Sequence, residues 1–462
     1  MVGAGTMGAG IAQIAVLGGF EARLHDPVGD ALEAGAQRLH RDLEKGAERG
    51  RWSSADAEAA AARLRLAENP EDLAACELVI EAAPESLELK RELFARLAEL
   101  CGSDAILATN TSSLSVTAIA AGVAHPERVV GMHFFNPPAR MELVEVVGGM
   151  QSSEEALATA TEIGRRMGRT PVRAADEVGF IANRVARPFG LEGLRLLGAR
   201  VADHETIDRI CRLGGGFRMG PFELMDLVGI DVNFEVAKSF WEQSFHEPRW
   251  QPHPIQARMV AAGRLGRKSG RGYYDYSDRR DRRQDPEPPA PSATEPAPPL
   301  VELTGGSLAR LAPGEDAVGF VALPTPEEAS LVELTRGGAT AEATAAEAER
   351  HFRSLGKRVE WVGDAPGLVL GRIVCQLVNE AAFALEGGIG SAEDIDTAMR
   401  LGFNYPRGPL EWGDAIGLDQ VLAVLDALRE ELGEERYRAA PLLRRMVAEG
   451  RVGRRSGRGF FP

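Results

Sequence analysis

A histidine and a glutamate in an apolar stretch are the first candidates for chemistry. Residues 131–147 read GMHFFNPPARMELVEVV, in which His133 closes an apolar segment and Glu145 follows twelve residues later. A neutral imidazole can take a proton from a hydroxyl group while hydride leaves for a nicotinamide ring, and a paired carboxylate fixes its tautomer and stabilises the imidazolium. A packed histidine among aromatic side chains is the other interpretation, and the residues alone leave both open.

A glycine loop near the beginning of the chain could hold a dinucleotide. Residues 3–8 read GAGTMG, and Asp26 follows at the end of the next apolar segment. Gly3 would permit a tight turn, Gly5 would let a pyrophosphate approach the backbone, and Gly8 would let a helix pack on a strand. An acid at this spacing binds the ribose hydroxyls and repels a 2′-phosphate, which favours NAD over NADP. The alternatives are an ordinary strand–helix turn and a surface acid.

The elements that must position these residues alternate between strands and helices. Such alternation predicts an α/β fold with a doubly wound, Rossmann-type sheet, followed by mostly helical sequence. Met1-Val2 are all that precedes the glycine loop, where a strand of about five residues is typical. We therefore expect that the true start lies upstream or that most of this strand is lacking. The predicted strands are Glu21–His25, Leu78–Ala83, Ala105–Ala108 and Val129–Phe135, and a helix is predicted over Glu88–Leu100.

A proline-rich stretch divides the chain, and the part after it repeats the part before it. Residues 277–299 are rich in proline and charge, which predicts a flexible tether. A constant shift of 188 positions aligns residues 129–231 with the later part, so that Leu143-Val144-Glu145 matches Leu331-Val332-Glu333. The predicted segments are a Rossmann domain over 1–177, a helical domain over 178–276, the linker over 277–299, a degenerate nucleotide-domain remnant over 300–362 and a second helical domain over 363–462.

Composition narrows the classes of partner. The chain has 68 acidic and 53 basic residues, for a formal net charge of -15. This negative field disfavours nucleic acid and anionic membranes, although local Lys or Arg can still bind a polyanionic small ligand. The four cysteines are scattered, which argues against a zinc site and a disulfide framework. With neither a signal peptide nor a long apolar run, we expect a cytoplasmic protein without a metal.

Seven motifs, in this order, resemble the 3-hydroxyacyl-CoA dehydrogenase family: GAGTMGAGIAQ, VIEAAPE, ATNTSSLS, HFFNPPARMELVEVV, GFIANRVARP, RMGPFELMDLVG and GRKSGRGYYDY. The resemblance runs from Gly3 to about Tyr276, and the second copy matches again. Near the C-terminus, FNYPRGPLEWGDAIG and GEERYR are similar to the two-repeat bacterial 3-hydroxyadipyl-CoA dehydrogenases of phenylacetate breakdown.

The resemblance implies an NAD-dependent oxidation of (S)-3-hydroxyacyl-CoA to 3-oxoacyl-CoA in fatty acid or phenylacetate catabolism. The implied substrate is 3-hydroxyadipyl-CoA or 3-hydroxybutyryl-CoA. His133 would be the general base and Glu145 its partner. Ser112 would contact both substrate and nicotinamide, and Asn183 would hydrogen-bond the substrate near the reacting carbon.

Other residues match positions of the family with weaker signals. Lys45, Arg49 and Arg51 form a basic cluster that could meet the 3′-phosphate of coenzyme A, with a solvated helix face as the alternative. Glu85, Lys90, Asn136 and Lys268 match family positions that contact NAD. Without the resemblance, these four residues would be interpreted, in the same order, as a helix-start acid, a surface lysine, a turn cap and another surface lysine.

The second copy departs from the pattern where chemistry would need it. Val321 stands in place of His133 and Gly371 in place of Asn183, whereas Glu333 keeps the glutamate. A glycine loop does not precede this copy. We predict that it is not catalytic and packs against the first helical domain, as a partner subunit does in single-copy relatives. A homo-oligomer stays possible.

Two other functions stay open. A β-hydroxyacid or sugar dehydrogenase on a similar scaffold would use a lysine base and would not depend on coenzyme A. An idle NAD-binding protein, such as the lens crystallins related to this family, would show no turnover. The His–Glu pair argues against both.

Overall fold

The computed structural model of the chain describes residues 1–278, 285, 287–323 and 329–462, and these form two compact units. Unit 1 comprises Met1–Ala182 and Gly388–Gly402, and unit 2 comprises Asn183–Gly387 and Phe403–Pro462. Each unit therefore contains sequence from both copies of the repeat.

Unit 1 is built on parallel strands with helices between them, as the alternating pattern predicts. The strands are β1 (Ala22–His25), β2 (Leu64–Ala67), β3 (Leu78–Glu81), β4 (Ile106–Thr109), β5 (Val129–Phe134), β6 (Leu143–Gly148) and β7 (Thr170–Ala175). The helices are α1 (Thr6–Leu17), α2 (Gly29–Glu48), α3 (Ser54–Ala62), α4 (Leu87–Leu100), α5 (Val116–Ala120) and α6 (Glu154–Arg166), with 3-10 turns at Pro70–Leu73 and Pro126–Arg128.

The sheet order is β3-β4-β5-β6-β7, and β1 pairs with β2. Only the β5–β6 pair is antiparallel among the strand pairs of the described part of unit 1. All six residues of β5 are buried, as expected for a strand covered on both faces. Ile11 and Ile14 of α1 pack in the same core cluster as Val130 and Val144.

The short beginning of the chain keeps the contacts of a central strand. Val2 forms parallel bridges with both His25 and Glu81, between β1 and β3. The Val2 amide donates to the Ile80 carbonyl at 2.9 Å, and the Gly3 amide donates to the His25 carbonyl at 2.8 Å. A few residues therefore connect the two groups of strands.

Unit 2 combines helices from both copies with a small sheet. The helices of the first copy are α7 (Ala182–Val185), α8 (Arg187–Gly198), α9 (His204–Arg209), α10 (Pro221–Val228), α11 (Ile230–Gln243) and α12 (Pro254–Ala261), and a π-helical turn spans Ile210–Gly214. The remnant contains β8 (Leu300–Glu302), α13 (Leu308–Leu311), β9 (Val318–Phe320), β10 (Leu331–Arg336), α14 (Glu342–Ser354) and β11 (Arg358–Val362). The second copy adds α15 (Leu370–Glu386), α16 (Ala392–Phe403), most of which belongs to unit 1, α17 (Pro409–Ile416), α18 (Leu418–Leu432) and α19 (Pro441–Ala448). Further 3-10 turns lie at Pro248–Trp250, Arg267–Ser269, Glu435–Tyr437 and Arg454–Ser456.

The small sheet repeats the far end of the larger one. Its order is β11-β10-β9-β8, with β9–β10 antiparallel and the other two pairs parallel. The larger sheet has the same directions in β7-β6-β5-β4. The repeat seen in the sequence is therefore also a repeat of sheet topology.

Inside unit 2, the two helical copies meet through reciprocal ion pairs. Arg184 pairs with Glu380 at 3.1 Å, and Arg372 pairs with Glu192 at 2.7 Å. Because Arg372 and Glu380 stand 188 residues after Arg184 and Glu192, the same contact is made twice in opposite directions. That reciprocity is the property of a two-fold interface between identical surfaces.

The linker is attached to unit 2 where the structure describes it. The Ser292 amide donates to the Ser354 carbonyl at 2.9 Å, and Asp285 pairs with Arg212 at 2.7 Å. The predicted tether is therefore held at these points, and residues 279–284 and 286 lie outside the described residues.

Across the described ranges, every helix is too short or too polar to cross a membrane.

Candidate active site

The histidine and glutamate are direct neighbours across two antiparallel strands. In the β5–β6 register His133 is opposite Glu145, and its Nδ1 lies 2.7 Å from Glu145 Oε2. The twelve-residue spacing is thus the length of a strand end, a loop and the returning strand. His133 is 6% exposed and Glu145 is fully buried, so the pair is shielded from bulk water.

The carboxylate is held from its other side by the backbone. Glu145 Oε1 accepts hydrogen bonds from the amides of Ile181 at 3.0 Å and Ala182 at 2.9 Å, where α7 begins. Two unsatisfied donors at a helix start and one buried carboxylate satisfy each other. With Nδ1 donating to Oε2, Nε2 is the basic nitrogen of the His133 ring.

Aromatic rings form the walls beside this imidazole. The ring of Phe135 has its centroid 4.6 Å from that of His133, and the ring of Phe180 lies at 5.9 Å. Phe135 follows β5 directly, so the end of the strand supplies both the histidine and one of its walls. The orientation of the imidazole therefore depends on packing as well as on Glu145.

Glu85 holds the turn that follows β4 through hydrogen bonds. Its Oε1 accepts hydrogen bonds from the Thr111 hydroxyl, the Ser112 amide at 3.1 Å and the Ser113 amide at 3.3 Å. Burial would raise the pKa of the Glu85 carboxyl, but these hydrogen bonds and the charge of Lys90 hold that pKa below its ordinary value. The predicted Ser112 is thus in a turn anchored by the predicted Glu85.

Lys90 is not the surface lysine that its position in a helix suggested. Its side chain is 1% exposed, and its ammonium group lies 2.6 Å from Glu81 Oε1 and 3.3 Å from Glu85 Oε2. A buried ammonium needs such partners because desolvation is costly. Lys90 therefore joins the end of β3 to Glu85, and Glu85 in turn accepts hydrogen bonds from the turn after β4.

Asn110 also contributes to the site, although its residue type and position in the sequence did not single it out. Its side-chain oxygen accepts a hydrogen bond from the Phe134 amide at 2.8 Å, one residue after His133. The available signal was a polar residue directly after an apolar strand, within the motif ATNTSSLS. Asn110 fixes the backbone at the end of β5.

The glycine loop has the shape that its spacing predicts. Gly3 has a φ of +93°, and a Cβ there would lie 2.6 Å from the Ala82 carbonyl oxygen. A Cβ on Gly8 would lie 1.8 Å from the Gly3 carbonyl oxygen, whereas a Cβ on Gly5 would meet nothing within 4 Å. Gly5 precedes α1 and does not cap it with a side chain, so the first amides of the helix face this open space as donors for a phosphate.

Asp26 lies beside this loop. Its Oδ2 accepts a hydrogen bond from the Ala4 amide at 2.8 Å, and its Oδ1 accepts one from Val28 at 3.0 Å. The acid is half-buried directly after β1. The residues present therefore fit a dinucleotide whose pyrophosphate meets the loop and whose ribose meets Asp26.

The contacts within unit 1 assign no role to the other residues that were predicted to bind NAD, coenzyme A or substrate. Asn136 is exposed beside β5, and Lys45, Arg49 and Arg51 are exposed at the end of α2 and after it. Asn183 and Lys268 belong to unit 2, where Lys268 pairs with Asp231 at 2.6 Å. Their contacts with NAD or coenzyme A stay predictions.

The second copy retains the carboxylate framework without the imidazole. Glu333 accepts hydrogen bonds from the amides of Val369 at 2.7 Å and Leu370 at 2.9 Å, at the start of α15. Continuing the β9–β10 register by one residue places Val321 opposite Glu333. Burial raises the pKa of the Glu333 carboxyl to about 7, against the effect of the two hydrogen bonds.

A Rossmann-type sheet, a glycine loop followed by an acid, and a buried His–Glu pair together define a nicotinamide-dependent dehydrogenase. The protein-family model described as "3-hydroxyacyl-CoA dehydrogenase, NAD binding domain" matches residues 1–177 of the chain. The model of the C-terminal domain of the same family matches residues 179–276 and again 367–462. The chain belongs to the 3-hydroxyacyl-CoA dehydrogenase family and is an NAD-dependent oxidoreductase.

Individual relatives cover either the whole chain or little more than half of it. The 3-hydroxyadipyl-CoA dehydrogenase of Escherichia coli (strain K12) is 40% identical over 458 residues, 96% of each chain. The crystal structure of a 3-hydroxybutyryl-CoA dehydrogenase from Escherichia coli K12 has a TM-score of 0.91 at 39% identity, covering 97% of this chain and 98% of that one. The probable 3-hydroxybutyryl-CoA dehydrogenase of Bacillus subtilis (strain 168) is 38% identical over 275 residues, 60% of this chain and 96% of its own.

Proposed function

We propose that His133 is the general base in the oxidation of (S)-3-hydroxyacyl-CoA to 3-oxoacyl-CoA. Its Nε2 takes the proton of the C3 hydroxyl group, and the bound NAD accepts hydride from C3 at its nicotinamide ring. Glu145 fixes the tautomer and stabilises the imidazolium that results. In the reverse direction the imidazolium returns the proton. The 2.7 Å contact between two buried side chains is the observation that carries this proposal.

The cofactor residues follow from the fit of the loop. Gly3, Gly5 and Gly8 leave space and amide donors for the pyrophosphate, and Asp26 selects NAD by its charge. Glu85 and the turn that contains Ser112 would meet the nicotinamide end. Lys90 then acts through Glu85, whose position and ionised form it supports.

The second copy is proposed to be non-catalytic. It keeps Glu333 but has Val321 and Gly371 where the first copy has His133 and Asn183. Gly371 and Val321 lie against each other, since a Cβ on Gly371 would be 3.2 Å from Val321 Cγ1. A valine and a glycine thus stand where the first copy carries His133 and Asn183.

For the acyl group, we propose a short chain on which a terminal carboxylate is accepted, as in 3-hydroxyadipyl-CoA. Two relatives that match nearly the whole chain are named for 3-hydroxyadipyl-CoA and 3-hydroxybutyryl-CoA. NADH consumption should be followed with 3-oxoadipyl-CoA, acetoacetyl-CoA and a long unbranched 3-oxoacyl-CoA. Activity on the long chain alone would contradict the proposal. Activity on acetoacetate without coenzyme A would favour a β-hydroxyacid dehydrogenase instead.

The mechanism is tested by removing the base. His133→Gln should lower kcat by about 10² to 10⁴, because general-base groups contribute that much, while NADH binding measured by fluorescence should be retained. Glu145→Gln should also lower kcat, because the imidazole loses its partner. A wild-type protein without turnover would indicate an idle NAD-binding protein. A His133→Gln variant with normal turnover would show that another group is the base.

A further inference from the structure

A segment of the second copy belongs to the unit that carries the His–Glu pair. Residues 388–402, called the strap below, are grouped with Met1–Ala182 in unit 1. The strap includes nearly all of α16, and its residues Ile389, Ile395 and Met399 are at most 2% exposed. It is therefore an integral part of this unit.

One end of the strap contacts the residue that orients Glu145. The Ala175 amide, at the end of β7, donates to the Ile389 carbonyl at 2.8 Å. A Cβ on Gly390 would lie 2.7 Å from Ile181 Cδ1. Ile181 is one of the two residues whose amides donate to Glu145. The strap thus packs directly against the residue that donates to the buried carboxylate.

The other end of the strap contacts the wall beside His133. A Cβ on Gly402 would lie 2.8 Å from Leu143 Cδ2 and 3.3 Å from Phe135 Cε1. The Phe135 ring is in turn 4.6 Å from the His133 ring. Only a glycine lets α16 approach this closely without moving Leu143 or Phe135.

The same exchange occurs in the opposite direction inside unit 2. The Gly363 amide donates to the Val201 carbonyl at 2.7 Å, and both residues stand 188 positions from their counterparts in the Ala175–Ile389 bond. Gly214 is the counterpart of Gly402, and a Cβ there would meet Leu331 and Leu370 only at 3.6 Å. The two contacts are equivalent in the repeat, but the fit in unit 1 is tighter.

We infer that the strap is a positioning element for the His133–Glu145 pair, so that a copy without reacting residues supports the chemistry of the other. The strap bears on both members, through Ile181 on the side of Glu145 and through Phe135 on the side of His133. The contacts described above run through these two neighbours. The inference rests on the proposed role of His133.

The repeat supplies a matched pair of variants to test the strap. Gly402→Ala introduces a Cβ that must move Leu143 or Phe135, whereas Gly214→Ala introduces one at ordinary contact distance. Neither glycine has a positive φ, and alanine is the better helix former, so both proteins should fold. Turnover with a 3-oxoacyl-CoA, NADH affinity, melting temperature and the pH profile of kcat/KM should be measured for both.

Gly402→Ala should lower kcat by about tenfold or more, because small displacements of a catalytic group are costly. It should also shift the pH profile, which reports the imidazole, while NADH affinity stays unchanged. Gly214→Ala should keep wild-type kcat and profile. Equal kinetics of the two variants, or a lower kcat of Gly402→Ala with an unshifted profile, would overturn the inference.

If Gly402→Ala does not fold, Gly390→Ala gives the same readouts, because its nearest contact is the flexible end of Ile181 at 2.7 Å, with the Arg173 carbonyl oxygen next at 3.2 Å. A normal kcat and profile in that variant would overturn the inference. His133→Gln separates the two proposals. An inactive His133→Gln beside normal strap variants refutes the strap alone, whereas an active His133→Gln refutes the proposed mechanism and the strap with it.

Discussion

Replacing Glu333 with glutamine should remove one pH dependence of the unfolding free energy, so that the variant gains stability relative to the wild type as the pH rises. Burial raises the pKa of this carboxyl from its ordinary 4.5 to about 7. A folded-state pKa above the unfolded one means that the folded protein binds the proton more tightly. The ionised form of Glu333 is therefore destabilising. The unfolding free energy of the protein falls progressively as the pH rises from about 4.5 to about 7, and it does not recover at higher pH.

The size of the effect follows from the shift. Each pKa unit corresponds to about 1.4 kcal/mol, so the shift at Glu333 makes a difference of about 3 kcal/mol between pH 5 and pH 8. Glutamine has nearly the same shape and stays neutral throughout. The difference in unfolding free energy between variant and wild type should therefore grow by about 3 kcal/mol over this range.

Urea unfolding followed by circular dichroism at the two pH values would measure this difference. Glu302→Gln is the matched control, since Glu302 is an exposed carboxylate on the same small sheet and should show no such dependence. Turnover of Glu333→Gln should equal that of the wild type, in contrast to Glu145→Gln. The reasoning is refuted if Glu333→Gln and the wild type respond equally to pH.

Three further variants test other parts of the structure. Asp26→Asn should raise kcat/KM with NADPH relative to NADH about tenfold, because a like charge is removed while the side-chain oxygen still accepts from Ala4; an unchanged preference would contradict this. Arg372→Met should cost about 2 kcal/mol in urea unfolding, because it removes one of the two arginines paired with buried Glu192 and leaves that carboxylate with Arg195; an unchanged unfolding free energy would argue against the ion pair. A chain ending before Leu300 should self-associate in size-exclusion chromatography with light scattering, since α8 loses its contact with α15; a stable monomer would disprove that.

Local patterns predicted four of the seven strands of unit 1, namely β1, β3, β4 and β5, but not β2, β6 or β7. The predicted strand Val129–Phe135 differs from β5 by one residue at its end, and the predicted helix Glu88–Leu100 differs from α4 by one at its beginning. The glycine spacing likewise predicted a tight turn at Gly3, where φ is positive, and close packing at Gly8, where a Cβ would meet the Gly3 carbonyl oxygen. These features depend on neighbours in sequence, which a single chain displays directly.

Contacts between distant residues were harder to predict. A lysine in an amphipathic helix is expected to be exposed. Lys90 is buried because the fold brings the carboxylates of Glu81 and Glu85 to its ammonium group. Asn110 matters through an amide on the next strand. The strap is the clearest case, because the duplication predicted that the copies pack together but not that residues 388–402 belong to unit 1.

The contacts of Glu145 and Glu333 explain why the second copy retains the glutamate but has no histidine at the position equivalent to His133. In the first copy Glu145 has two tasks, which are to orient His133 and to accept the amides at the start of α7. In the second copy the imidazole is gone, but the amides of Val369 and Leu370 still need an acceptor, because unpaired buried donors are costly. Glu333 retains this second task alone, although an ionised carboxylate there is unfavourable. On the proposed mechanism, the glutamate needed for both catalysis and folding persists in the second copy as Glu333, whereas His133, to which we assign a catalytic role alone, has Val321 as its counterpart.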